Sequence, residues 1–330
     1  MKDFALPAVQ VWQGPSSASK IRKTSEAMSR HRDSKFFRVA LIALAVVILP
    51  TCKAPHEKTE ATQNRPARIV SLSPSVTEIL YGIGAWPQVI AVSEYCTYPD
   101  DVVNKPRVNG WGTTNLEQVT ALKPDLVIGV DAQETFVRDK LSALGVRSLF
   151  VKSQSLTDVY AAIEQIGQAV GHASEAAELA ARTRTEVEQV RSAVANHPRP
   201  RVLCVVDRVP GTLRDIYVAT RGSFLDEIVS IAGGEPIAPP AGSGYGKITK
   251  EAVLTLDPEV IIDMVQAPKG KLAEDPKVVW QELTEVRAVQ SGRVNSMGDA
   301  TAIHPSQFVG RTARLFAHYI HPEIFPRVSD

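Results

Sequence analysis

The chain has 330 residues, 44% of them hydrophobic and 6% aromatic, with a formal net charge of +1. The length suffices for two domains with their own cores. A charge this close to neutral supplies no field for nucleic acid, which is not expected as a partner.

Regular structure is not expected before residue 68. Residues 1–38 carry scattered basic side chains without apolar periodicity. Residues 39–49 are an unbroken apolar run, preceded by Arg30, Arg32, Lys35 and Arg38. The run falls short of the roughly 20 residues that span a bilayer. It fits the h-region of a secretory signal, with a true start at Met1 or, for an n-region of ordinary length, at Met28. Leu49-Pro50-Thr51-Cys52 resembles a bacterial lipobox with Thr51 where Gly or Ala is usual, and so nominates Cys52 for lipidation. Residues 1–52 are read as the signal region and 53–67, polar and proline-bearing, as a flexible tether. Membrane contact is expected only through that lipid anchor. Cys96 and Cys204 fall in different halves of the chain and are expected to be free thiols.

Residues 68–72 read as a strand, followed by the turn Ser73-Pro74-Ser75. Ser75 and Glu78 have capping-box spacing for a helix that Gly82 and Gly84 end. A strand at 89–92 leads into the loop Ser93-Glu94-Tyr95-Cys96-Thr97-Tyr98-Pro99. Asn115 or Thr114 caps a helix that stops before Pro124. Residues 125–130 then form a continuous apolar strand, as a parallel strand covered on both faces requires. A helix at 136–144 and a strand at 147–151 follow. A helix at 157–170 carries Val159, Ile163, Ile166 and Val170. The helix at 174–196 carries Leu179, Val187, Val190 and Val194, and at 1.5 Å per residue spans about 33 Å, enough for a strut between two halves. The second half repeats the plan, with strands at 201–206, 260–265 and 293–297 and helices at 223–232, 280–289 and 307–319. Strands alternating with helices predict parallel, doubly wound sheets.

One unit occurs twice. Trp111 and Tyr245, Glu117 and Glu251, Val119 and Val253, Pro124 and Pro258, and Ile128 and Ile262 are all 134 positions apart (251 − 117 = 134). Each copy reads as an aromatic in a glycine loop, a short helix, a proline stop and a buried strand. Two similar α/β units would share strands and prolines anyway. The ring and the acid six residues later are less easily shared by accident.

No catalytic or metal constellation is legible. Ala241 and Ile248 break a phosphate-loop reading of the glycines around Tyr245. The seven histidines show no paired spacing and there is no Cys-x-x-Cys, so neither a metal site nor a resident cofactor is expected. No serine sits in a nucleophile elbow. Ligand sites in open α/β sheets lie beyond the carboxyl ends of strands. That nominates the loops holding Ser73 and Pro74, Tyr95, Asp131, Arg208, and Asp299 to His304. Trp111 and Tyr245 could stack on a large flat ligand. Glu117 and Glu251, one in each helix's first turn, read as paired surface acids for a symmetric basic partner.

Residues 68–78, Asn115-Leu116-Glu117 on through Lys123-Pro124-Asp125, and Gly222-Ser223-Phe224-Leu225-Asp226 through Gly233-Gly234-Glu235 resemble the helical-backbone (class III) substrate-binding proteins of bacterial ABC importers. The resemblance runs from about Arg68 to His318. It implies an α/β fold of two Rossmann-like lobes with parallel sheets, here 68–172 and 198–330, joined by a single long rigid helix at 173–197. It implies no enzyme, but an exported protein, periplasmic or lipid-anchored, that delivers a small-molecule metal chelate to an ABC permease dimer with its ATPase subunits. Glu117 and Glu251 match the docking glutamates of such proteins. Site residues are most similar to those of the vitamin B12-binding members. Trp111 and Tyr245 match their opposed stacking rings, Tyr95 a contacting tyrosine and Asp299 an aspartate near the corrin edge. Val130, Ile303 and Tyr245 depart from that pattern. A ferric siderophore, with Arg208, Arg214 and Arg221 at the cleft, or haem, with Tyr95 and His304 as axial ligands, are the alternatives within the family. A secreted α/β enzyme is the alternative outside it.

Overall fold

A computed structural model of the chain describes residues 65–108, 114–242, 244–265 and 275–326, all within one compact unit. Among them no helix is long and apolar enough to cross a membrane.

The first sheet holds β1 (Ile69–Ser71), β2 (Val89–Val92), β3 (Leu126–Val130) and β4 (Ser148–Val151). Its order is β2-β1-β3-β4 and every pair is parallel. Alternation along the strands explains why both faces are covered. Ile69, Leu126, Ile128 and Val130 face one core, while Val70 and Val127 face another. Helices α1 (Pro74–Gly82), α2 (Leu116–Ala121), α3 (Asp131–Ala143) and α4 (Leu156–Val170) surround this sheet.

Helix α5 (Ala173–Val194) then leaves the first half, 22 residues long. The expected stripe Leu179, Val187, Val190 and Val194 is buried, as its helical spacing demands. Helix α5 packs on α4 behind it and on α10 (Val309–Ile320) of the second half. The approach to α4 needs a glycine: a Cβ on Gly167 would lie 2.2 Å from the Cβ of Ala176.

The second half differs from the expected plan. Strands β5 (Arg201–Asp207), β7 (Glu235–Pro236), β9 (Val260–Asp263) and β10 (Val294–Ser296) are parallel, but β6 (Ile216–Ala219) and β8 (Tyr245–Ile248) run antiparallel to their neighbours. The sheet is therefore mixed, in order β10-β9-β5-β6-β8 with β7 beside β5. Neither antiparallel strand is a long apolar run: Tyr217, Tyr245 and Lys247 face solvent, so the period-two signal is diluted. Val202 and Cys204 face the core shared with the first half, Leu203 and Val205 the outer one. Helices α6 (Phe224–Ile231), α7 (Lys250–Leu256), α8 (Pro276–Trp280) and α9 (Arg287–Gln290) complete the fold.

Three local expectations are corrected. Residues 280–289 are not one helix but α8, a 3-10 turn at Gln281–Leu283, and α9. The buried residues there, Trp280, Leu283, Val286 and Val289, recur every three positions, which suits a turn of three residues better than one of 3.6. Helix α3 starts at Asp131, directly after β3, rather than at 136. The buried Gln133 makes this possible: its Oε1 accepts from Val130 N and its Nε2 donates to Leu72 O. Finally, Glu78 forms no capping box. Helix α1 begins at Pro74, and the Glu78 carboxylate points elsewhere.

Candidate functional site

The loops at the carboxyl ends of the parallel strands come from both halves. Each is held by a buried polar group, and those groups decide which side chains remain available.

In the first half, Ser73 is buried in a hydroxyl cluster. Its Oγ lies 3.0 Å from Ser75 Oγ, and Thr77 Oγ1 donates to Ser71 Oγ and to Ser73 O. Pro74, partly exposed, opens α1, where its missing N–H costs nothing. The loop after β2 is clamped by Arg107. Its Nη1 donates to Ser93 O at 2.9 Å and to Cys96 O at 2.7 Å, and its Nη2 donates to Val102 O. Cys96 is buried between Thr77 and Ser93, and burial pushes its thiol pKa up. With neighbours fixed on both sides, Tyr95 is left 55% exposed. Asp131 Oδ1 accepts from Ser153 Oγ and Ala132 N. Trp111 lies outside the described residues, as does Cys52.

In the second half, Arg208 does not reach out as a free cleft cation. It is buried, donating through Nε to Asp263 Oδ2 at 2.9 Å and through Nη1 to Thr212 O. Arg214 and Arg221 are exposed. Tyr245 opens β8 opposite Ala219 and keeps 38% of its surface exposed. Burial raises its phenol pKa, with Cys204 as a smaller cause. Asp299 caps the turn Ala300–Ile303, accepting from Thr301 N and Oγ1, and pairs with Arg311 at 3.1 Å. Its carboxylate shapes the loop from within.

His304, expected as a ligand contact, also meets a partner across the molecule. Its Nδ1 lies 2.6 Å from Glu78 Oε1, in the other half of the molecule. Ser306 Oγ donates to Glu78 Oε2 at 2.5 Å, and Gln307 Nε2 donates to Glu78 O at 2.8 Å. The structure thus brings His304 to a residue read from sequence only as a helix cap. Arg107, Asp263, Ser306 and Gln307 were missed altogether. Asp263, Ser306 and Gln307 find partners far along the chain, Arg107 finds backbone oxygens 5 to 14 residues away, and no local spacing marks any of them.

Glu117 and Glu251 occupy matching positions, exposed in the first turns of α2 and α7. Asn115 caps the first by accepting from Gln118 N, and Thr249 the second by accepting from Ala252 N. The Glu251 carboxyl is held below the usual range by its own backbone N–H and by Thr249.

A cavity of about 580 Å³ lined by Pro198, Pro200, Glu259, Arg293, His321 and Glu323 lies at the opposite, amino-terminal end of the second sheet. It sits away from the end where open α/β sheets bind ligands. Arg293 there donates to Ile320 O, which is a structural use. Among the described residues no group of three or more His, Cys, Asp and Glu side chains is placed to hold a metal ion.

The sequence pattern of the periplasmic binding protein family matches residues 69–301. A vitamin B12-binding protein of Yersinia pestis is 27% identical over 223 residues, covering 67% of this chain and 75% of the relative. Solved structures share the two-lobed fold. The periplasmic vitamin B12-binding protein of Vibrio cholerae superposes with a TM-score of 0.67 at 24% identity, covering 80% of this chain and 99% of that one. A periplasmic heme-binding protein of Pseudomonas aeruginosa superposes with a TM-score of 0.71 at 22% identity, covering 80% and 96%.

Proposed function

The chain belongs to the periplasmic binding protein family, and we propose that it captures a corrinoid between its two lobes and hands it to an ABC importer. The observation that carries this reading is the duplicated unit. Each lobe presents one exposed, helix-capped glutamate, Glu117 or Glu251, beside a loop at the carboxyl end of its strands. Two acids at equivalent positions suit a partner with two equivalent basic pockets, which a permease dimer offers. Arg–carboxylate pairs of this kind are charge-assisted and geometrically specific.

The walls suit a flat, conjugated ligand. Tyr95 and Tyr245 expose rings on loops or strand ends of the two lobes, and Trp111 would add a third. Rings bury large areas at small entropic cost. A corrinoid is favoured among such ligands because the vitamin B12-binding relatives align across both lobes. Haem is the second reading, favoured by the exposed phenol of Tyr95, an axial ligand for ferric iron. His304 would have only its Nε2 to offer as a partner ligand, since Glu78 holds the ring's Nδ1, an orienting contact that metal-ligating histidines commonly make. The reading assigns no catalytic residue. Export to the periplasm, with Cys52 as a lipid anchor, completes it.

The test is direct. The purified mature protein is titrated with cyanocobalamin, cobinamide and haem, followed by calorimetry and visible absorbance. Saturable one-to-one binding of a corrinoid supports the reading. Binding of haem alone, with a tyrosinate-ligated spectrum lost in Tyr95→Phe, replaces it with the second.

A further inference from the structure

Glu78 has an unusual position for a helix residue. It is 1% exposed, in the first lobe, yet both carboxylate oxygens are used by the second lobe. A carboxylate only accepts, so His304 Nδ1 carries the proton toward Oε1, as Ser306 Oγ does toward Oε2. The backbone oxygen of the same residue accepts from Gln307. Three donors from four consecutive residues therefore converge on one residue, 226 to 229 positions away.

The segment that makes these bonds begins where the cleft loop ends. Asp299 caps Ala300–Ile303, and His304 is the next residue. Phe308 continues the contact, its ring 5.0 Å edge-on from Tyr98, which in turn stands 5.2 Å from Tyr81 of α1. On its far side the loop is tied to its own lobe by the Asp299–Arg311 pair. A second crossing lies at Glu227, whose carboxylate accepts from Leu156 N at the start of α4, but it is a single bond at a half-exposed site.

We infer that Glu78 is a positioning residue of the ligand cleft: from the first lobe it fixes the second lobe's 299–308 loop, and so sets the separation of the two walls. The inference rests on the proposed cleft, but it makes a claim about lobe geometry that holds without ligand. Hydrogen bonds to a charged group are about twice as strong as neutral ones. In a water-excluded junction they resist opening until a partner pulls the lobes apart. Glutamine at this position keeps the volume and one acceptor but presents an N–H pair where an oxygen received a proton.

The experiment uses spin labels at Lys140→Cys and Glu285→Cys, exposed sites on α3 and beside α9, with pulsed electron resonance on the ligand-free full mature chain. Glu78→Gln is expected to shift or broaden the inter-lobe distance distribution and to weaken cyanocobalamin binding about tenfold. His304→Gln and Ser306→Ala, from the other lobe, are expected to act in the same direction, and each added to Glu78→Gln to cost less than it does alone. A lowered melting temperature with an unchanged distance distribution in all three variants overturns the inference. So do fully additive effects. If the wild type binds no corrinoid, the functional reading fails while the distance measurement still decides the role of Glu78.

Discussion

Arg208 Nε lies 2.9 Å from Asp263 Oδ2, and both side chains are fully buried. Trp280 Nε1 donates to the same oxygen at 2.7 Å, and Asp263 Oδ1 accepts from Val265 N. One carboxylate at the last residue of β9 therefore holds the loop after β5, the chain after β9 and the helix α8. These are the cleft-side supports of the second lobe. Asp263→Ala is expected to lower unfolding free energy by about 3–5 kcal/mol, because it strands a buried guanidinium. Urea denaturation measures it, and a loss below about 1 kcal/mol would mean that the pair is solvated or replaceable.

Glu117→Ala with Glu251→Ala is expected to abolish ligand uptake by cells while leaving ligand affinity as in the wild type. Both residues are exposed and lie outside the buried supports of either lobe. A large affinity loss in the purified double variant would return them to a structural role at their helix termini, where such charges contribute under about 1 kcal/mol.

Cys96 and Cys204 are free and buried, and burial raises both thiol pKa values. The thiolate is the reactive form. Neither cysteine is expected to react with a thiol reagent at neutral pH in the native protein, and both should react in denaturant. Rapid native labelling of either one, located by peptide mapping, would contradict the burial described.

Asp257 offers a pH-dependent contribution. The Arg287 backbone N–H, and then its side chain, hold the Asp257 carboxyl below the usual carboxylate range. A carboxyl with a depressed folded pKa stabilises the fold above its unfolded pKa and loses that contribution as pH falls through the folded one. Asp257→Asn should therefore destabilise slightly at pH 7, the effect being small because solvent screens the pair. The difference from wild type should shrink as pH falls through the folded pKa of Asp257. A constant difference across pH, measured by thermal melts, would assign the effect to something other than charge.

Much of the fold was legible in the residues. Strand β2 falls at 89–92 as expected, and α5 covers nearly the span assigned to it, because its apolar stripe is long and regular. The parallel strand β3 announces itself as an unbroken apolar run, and β9 as an apolar run that ends at Asp263. The short strands β6 and β8 do not, since each exposes polar or aromatic side chains on one face. The three-residue spacing of Trp280, Leu283, Val286 and Val289 belongs to short turns rather than to the single helix expected at 280–289.

The candidate site divides in the same way. Tyr245, Glu117 and Glu251 stand out because a ring or an acid at a repeated position is a local signal, and Tyr95 because it lies in a loop directly after a strand. Glu78 and Asp263 carry no such signal. Ser75 and Glu78 have capping-box spacing, and nothing nearby says that the carboxylate will instead meet His304 and Ser306 from the other lobe.

By itself the sequence determined the alternation of strand and helix, the long connecting helix, the duplicated ring-and-acid unit and the family. These depend on periodicity and spacing, which are properties of neighbours along the chain. Only the tertiary structure decided where the buried charges go. A charge in the interior must find partners, and its partners are set by which loops the sheets bring to one end. For Glu78 those partners lie more than two hundred residues away. That is why the contact of His304 with Glu78, in the other half of the molecule, could not be read from the residues around either one.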